Sequence, residues 1–277
     1  MNTNTNTNVI LIDVGYGFTK TVAANSNGIF FQKTFPSIVR EITTPISELQ
    51  SFRVTGISEG FIRSTLYRIL FKYALSQCDV ECASISTCLS VHNYTSQCNE
   101  LTSYIKTWCE EVGLHVEQVN VIPQFMDTYL NTLNGYEGDL AEFLDAHVGV
   151  VDIGDGTIDC SEIVHGEFVE GKTKSMEEGV HCLYDEILTD IESAHGELGL
   201  RIIDIADIIK SGAVSNNKKD IDVMSIVQSN KAQSWKKIEA FIHSVWPDLN
   251  VLKKLIITGG GFKLYEGEIR SILKTGM

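Results

Sequence analysis

The sequence predicts an α/β fold with an internal duplication, and three observations point to it. Two hydrophobic strands, Val9–Asp13 and His147–Asp152, each end on an aspartate and run into a glycine-containing turn. Each turn leads into a second β-prone run, as in a hairpin. Segments of helical periodicity follow both hairpins, so strands and then helices occur twice in the same order. The 277 residues are 43% hydrophobic, ample for one large domain or two lobes with their own cores.

Taken in order, residues 1–8 form an Asn/Thr repeat with neither a basic nor an apolar region. They read as a short disordered tail, not as a signal peptide. Val9–Asp13, Thr19–Ala24 and Ile29–Thr34 alternate as strands between Gly and Asn turns. Phe61, Ile62, Leu66, Ile69, Leu70 and Tyr73 recur at the helical period, and Val80–Val91 is β-prone. A second amphipathic helix carries Cys98, Leu101, Ile105, Trp108 and Val112. Val116–Ile122 reads as a strand ending at Pro123, a short helix with Phe125, Met126, Tyr129, Leu130 and Leu133 follows, and Asn134–Asp145 reads as a connector. In the second half, His147–Asp152 and Thr157–Val164 read as strands. A helix is expected near Ser175, where Ser175 and Glu178 have capping-box spacing; its inner face is Met176, Val180, Leu183, Ile187 and Ile191. Polar Gly212–Asp222 reads as a loop. A later helix carries Trp235, Ile238, Ile242 and Val245, Leu255–Thr258 is a strand entering three glycines, and a last helix carries Leu264, Ile269, Ile272 and Leu273.

With 22 basic against 36 acidic side chains, the net charge is −14. Such a surface argues against direct binding to DNA or RNA, whose phosphates call for clustered Lys and Arg, and against electrostatic attachment to an anionic membrane. No apolar run approaches the roughly 20 residues of a membrane span. The seven cysteines are an odd number without C-x-x-C spacing, which points to free, mostly buried thiols in a reducing cytoplasm.

The chemistry lies in the turns. The first hairpin reads Asp13-Val-Gly15-Tyr16-Gly17-Phe18-Thr19-Lys20 and the second Asp152-Ile-Gly154-Asp155-Gly156-Thr157-Ile-Asp159. Glycines let successive backbone N–H groups converge on an oxyanion. A carboxylate at the strand end suits Mg²⁺ held mainly through water, and Lys20 supplies a mobile charge for a terminal phosphate. A single such hairpin is an ordinary turn; two copies, joined by Thr258-Gly259-Gly260-Gly261, favour a nucleotide site. The P-loop pattern is absent, and the first hairpin lacks the third glycine of G-x-G-x-x-G. Gly56-Ile-Ser58-Glu-Gly60 matches a nucleophile elbow, but no Asp and His partners stand out, and Ser58 reads better as a helix cap.

These three turns, in this order, resemble those of the actin/Hsp70/sugar-kinase ATPase superfamily over nearly the whole chain after the tail. The Asp-x-Gly-Asp-Gly form at 152–156 and the segment Ile205-Ala-Asp-Ile-Ile209 are similar to the bacterial plasmid-segregation ATPases of the ParM/StbA type or the related AlfA. The resemblance implies an actin-like, ribonuclease H-like duplicated fold with two lobes around a nucleotide cleft. Lobe I would span 9–134, with an outer insertion at about 25–55, and lobe II 135–277, with one at about 195–225. The implied cofactors are ATP and Mg²⁺, with Asp13 and Asp152 organising the ion. Gly15, Tyr16, Gly17, Phe18, Thr19 and Lys20 would line one side of the phosphates, and Gly154, Asp155, Gly156 and Thr157 the other. Gly179, with Glu177 or Glu178, would lie near the ribose, and Gly259, Gly260, Gly261 and Phe262 near the base. Gln124, following Pro123, is similar in position to the residue that orients the attacking water.

The expectation is therefore a cytoplasmic ATPase whose catalytic residues are Gln124, Asp152 and Asp13. It would polymerise on itself into filaments and serve DNA segregation through a DNA-binding adaptor protein, without touching nucleic acid or membrane directly. A non-polymerising small-molecule kinase, with Asp155 or Asp159 as base, is the alternative; a Ser58 hydrolase is the remote one.

Overall fold

A computed structural model describes residues 7–15, 17–40, 51–53, 60–216 and 219–275. The chain forms two compact units, Met1–Glu137 and Gly138–Met277. In the first, β1 (Val9–Val14), β2 (Phe18–Asn25) and β3 (Gly28–Pro36) make an antiparallel meander, and β6 (Cys82–Leu89) and β7 (His115–Pro123) add to β1 in parallel. The sheet order is β3-β2-β1-β6-β7; β4 (Ile38–Arg40) and β5 (Ser51–Arg53) pair separately. Alternation along β1 sends Ile10, Ile12 and Val14 inward. They meet α1 (Thr65–Ser76) and α2 (Val91–Glu111), which contribute Phe71, Ala74, Leu101, Ile105 and Trp108 to one core. Burying each large side chain contributes roughly 1.5–3 kcal/mol. Ser64 caps α1, its hydroxyl accepting from the Tyr67 N–H at 3.1 Å. Ser58 lies outside the described residues, and the capping role expected of it belongs, for this helix, to Ser64. The unit ends with α3 (Gln124–Asn134), which starts directly where β7 stops.

The second unit repeats the hairpin-plus-parallel-neighbour arrangement. Its sheet runs β10 (Glu167–Phe168), β9 (Ile158–Val164), β8 (His147–Ile153) and β14 (Lys254–Thr258), with β8 and β14 parallel and β11 (Lys174–Met176) added on β9. Every residue of β8 but the first is buried. Helices α5 (Val180–His195), α6 (Ile205–Ser211) and α7 (Met224–Val245) pack with Tyr265 and Ile269 of the C-terminal segment around Val151, Ile153 and Ile158. Helix α8 is Glu266–Thr275.

Three local expectations are corrected. Ser175 and Met176 belong to strand β11, opposite Asp159 and Ile158 of β9, so the helix starts only at Val180 and Gly179 is its cap. The Ser175–Glu178 capping box does not form: the Ser175 hydroxyl donates to Asp159, and Glu178 pairs with Lys237 at 2.9 Å. Gly212–Asp222 is not an irregular loop but contains β12 (Ala213–Asn216) and β13 (Lys219–Asp222), whose inward residues include Val214. The connector 134–145 contains a short helix, α4 (Leu140–Leu144), because the Asp139 carboxylate accepts from the Ala141 N–H at 2.9 Å.

Candidate functional site

Each unit carries one Asp–Gly hairpin, held by the same inner bond. In the first the Gly15 N–H donates to the Phe18 carbonyl at 3.1 Å; in the second the Gly154 N–H donates to the Thr157 carbonyl at 2.8 Å. Asp13 faces Lys20 across β1–β2, as Asp152 faces Asp159 across β8–β9.

The first turn is held from the side by a residue that motif reading missed. Ser37 is fully buried; its N–H donates to the Gly17 carbonyl at 2.9 Å and its hydroxyl to the Gly15 carbonyl at 2.6 Å. The Thr19 hydroxyl lies 3.0 Å from that of Ser37. Beneath the strand end, the Thr87 hydroxyl donates to the Ile12 carbonyl at 2.7 Å. Lys20 is exposed, and its ammonium lies 3.2 Å from Asp13 Oδ2. Phe18 is exposed, and Tyr16 lies outside the described residues. The C-terminal ends of the parallel strands align: Ile12 is level with Thr87, and Leu89 with Pro123. Gln124 and Asp127, in the first turn of α3, thus stand at the same sheet edge as Asp13, and both are half-buried. Burial raises the proton affinity of Asp127; Asp13 raises it further, and Lys20 lowers it.

The second turn is braced from behind. The N–H groups of Gly179, Val180 and His181 donate to the carbonyls of Gly156, Gly154 and Asp155 at 3.2, 3.1 and 2.9 Å. The first turn of α5 therefore satisfies its own orphan donors on the hairpin. In a trans peptide the N–H points opposite to the carbonyl, and no cis peptide occurs among the described residues. With the carbonyls of 154–156 turned toward α5, the N–H groups of Asp155, Gly156 and Thr157 point away from it, and successive N–H groups of this kind suit an anion. A Cβ on Gly179 would strike the Asp155 carbonyl, which keeps this close approach for glycine.

Asp152 and Asp159 are buried below the turn. Asp159 accepts from the Thr157 hydroxyl at 2.8 Å and from the Ser175 hydroxyl. Both its oxygens are engaged in holding the turn, which tells against Asp159 as the base of a kinase. Beside Asp152 runs β14, whose Thr258 is its register partner. Gly259 adopts φ +94°, and a Cβ there would collide with the Ile153 carbonyl and the Asp152 carboxylate. The Gly261 N–H donates to the Ile153 carbonyl at 2.9 Å, Gly260 is exposed, and Phe262 packs half-buried against the core. The second unit therefore brings together Asp152, Gly154–Thr157, Gly179 and Gly259–Phe262. Glu178 sits at the edge of this group, exposed and tied to Lys237.

Among known proteins, residues 150–271 match the family described as archaeal actin homologue MreB-like, C-terminal. A ParM structure, the pCBH non-polymerisable quadruple mutant, superimposes with a TM-score of 0.76 at 16% identity, covering 96% of this chain and 92% of its own. The fold is actin-like. This actin-like chain also resembles Ta0583, an archaeal actin homologue (TM-score 0.71, 18% identity, 95% of this chain and 91% of that one). MreB5 of Spiroplasma citri, solved with AMPPNP, gives a TM-score of 0.63 at 14% identity over 98% and 99% of the two chains. No curated protein sequence matches the chain significantly. The matched segment 150–271 of the actin-like chain contains both the braced turn and the three glycines.

Two buried cysteines of the first unit, Cys78 and Cys109, are structural. Burial pushes the Cys78 thiol up to about 11 and that of Cys109 to about 12, leaving them protonated and inert as nucleophiles. No helix among the described residues is long and apolar enough to cross a membrane.

Proposed function

We propose that the chain is an ATPase that binds MgATP, assembles into cytoplasmic filaments in the ATP state and disassembles after hydrolysis. Its work is to move plasmid or other DNA through a DNA-binding adaptor protein. The observation that carries this reading is the braced turn of the second unit, whose peptides present Asp155, Gly156 and Thr157 N–H groups outward beside Asp152. Relatives of the same fold support it: a ParM from Clostridium botulinum was solved as a 15-stranded filament and Ta0583 in complex with ADP.

In this reading the outward N–H groups of the second turn take up phosphate oxygens, and Lys20 is the positive charge of the first hairpin. Asp13 and Asp152 offer carboxylate oxygens at strand ends, the hard donors that Mg²⁺ prefers. When bound, the ion neutralises charge on the β- and γ-phosphate oxygens. Gln124, at the first position of α3, holds the attacking water by hydrogen bonds; a neutral amide orients water without deprotonating it, which suits slow hydrolysis used as a timer. The −14 charge supports a reading in which a basic adaptor makes the contact with DNA.

Sedimentation and light scattering with ATP, ADP and a non-hydrolysable analogue test the proposal. Polymer that forms with ATP or the analogue and disperses with ADP is the expected result. Absence of any nucleotide-dependent polymer over a wide concentration range overturns the filament reading. Gln124→Ala is expected to slow phosphate release while filaments still form, and hydrolysis at the parent rate removes Gln124 from its assigned role.

A further inference from the structure

The two faces of the first unit's sheet differ. Ile10, Ile12 and Ala23 turn toward α1 and α2 and join the core. The alternate residues turn to the opposite face, and strand register sets them side by side. Val9 is opposite Ala24, Leu11 opposite Val22, and Ala24 opposite Ile29. Between Ala23 and Ala24 the register with β3 shifts, leaving Phe30 as an extra, bulged residue. Leu11, Val22 and Ala24 are half-buried, whereas Val9 is 40%, Phe30 47% and Ile29 65% exposed. The three exposed side chains gather at the corner where β1 and β3 begin, and β3 is the last strand in the sheet order. Asp13 stands further along β1, about 13 Å from Val9, so this apolar patch is remote from the first hairpin turn.

We propose that this corner is an interface for a second copy of the chain, joined head to tail. The inference rests on the filament reading above. Charge selects the occupant. Strands β1, β2, β3 and β6, which build the face, carry one carboxylate, Asp13, against two lysines, Lys20 and Lys33, in a chain of net charge −14. Asp13 lies toward the far end of its strand, paired with Lys20 at 3.2 Å. Copies of an acidic chain repel one another, and they approach at least cost where one side brings apolar surface without carboxylates. Its counterpart is then the acidic remainder of the neighbouring copy, not the same patch. A contact between unlike surfaces is heterologous, and it repeats from copy to copy instead of closing into a dimer. A basic adaptor, by the same reasoning, belongs on the acidic remainder. Exposed apolar side chains at a sheet edge are an aggregation liability, which burial by the next copy removes.

The test is the critical concentration for polymer formation with ATP, read by sedimentation of the full chain carrying Ile29→Glu or Ile29→Lys. Both substitutions remove the same exposed apolar side chain, and only one adds a carboxylate. Ile29→Glu is expected to raise the critical concentration by roughly tenfold or more, and Ile29→Lys by clearly less. Both variants are expected to bind a fluorescent ATP analogue as the parent does, because the patch is remote from the first turn. Equal losses of polymer in the two variants overturn the charge-directed contact. Polymer from Ile29→Glu at the parent's critical concentration assigns the face to another partner and overturns this inference alone. No polymer from the parent chain with any nucleotide overturns the filament reading and this interface together. Should the Ile29 variants fail to fold, Val9→Glu and Val9→Lys, two strands away on the same face, repeat the comparison.

Discussion

The two hairpins begin from the same device and are supported differently. Each carries an Asp one residue before its first strand ends and closes with a Gly N–H donating three residues ahead. Behind the second stand the first turn of α5, the Asp159 network and a glycine packed on Asp152. Beside the first, among the described residues, stand buried Ser37 with Thr19 against it and Thr87 beneath the strand end, and an exposed lysine paired to its aspartate. Duplication has thus kept the hairpin and changed its support. Among the described residues, the second turn is held by a helix start, a carboxylate network and a glycine contact, and the first by side-chain hydroxyls and a charge pair.

The largest expected effect is at Gly259. An alanine there would be strained at φ +94° and would press on Ile153 and Asp152. Gly259→Ala is predicted to cost about 3 kcal/mol or more, read as a large fall in the urea midpoint; a midpoint within error of the parent would break the picture of a braced turn. Next comes Asp159→Ala, which strands the Thr157 and Ser175 hydroxyls below the turn and is predicted to cost about 2–3 kcal/mol. Equal stability of the variant would mean that the network holds nothing. Smaller again is Ser37→Ala, which removes the 2.6 Å bond to the Gly15 carbonyl and is predicted to cost about 1–2 kcal/mol. If Ser37→Ala proves costlier than Asp159→Ala, the order of support between the two turns is reversed.

The strands, the repeated order and the glycine turns were legible in the sequence because each is a local pattern. Alternation in Val9–Val14 and the unbroken apolar run at 147–153 follow directly from which faces are buried. The supports were not legible, because they depend on pairing between distant segments. Ser37 follows a proline between apolar Phe35 and Ile38 and carries no motif, and only the β2–β3 register carries it back to Gly15 and Gly17. Ser175 and Glu178 match a capping box by spacing, yet pairing of β11 with β9 takes Ser175 to Asp159 and leaves the cap to Gly179. Polar 212–222 hides a hairpin because few of its residues, Val214 among them, turn inward.

The shared peptides between turn and helix have a consequence for measurement. A peptide whose N–H is drawn on by an anion becomes a stronger acceptor at its own oxygen. The oxygens of Gly154, Asp155 and Gly156 hold the amides of Val180, His181 and Gly179. Ligand arriving on one side of the turn should therefore tighten the start of α5 on the other, and its departure should loosen it. Deuterium uptake at those three amides becomes a gauge of occupancy that needs no label on the nucleotide and no polymer in the tube.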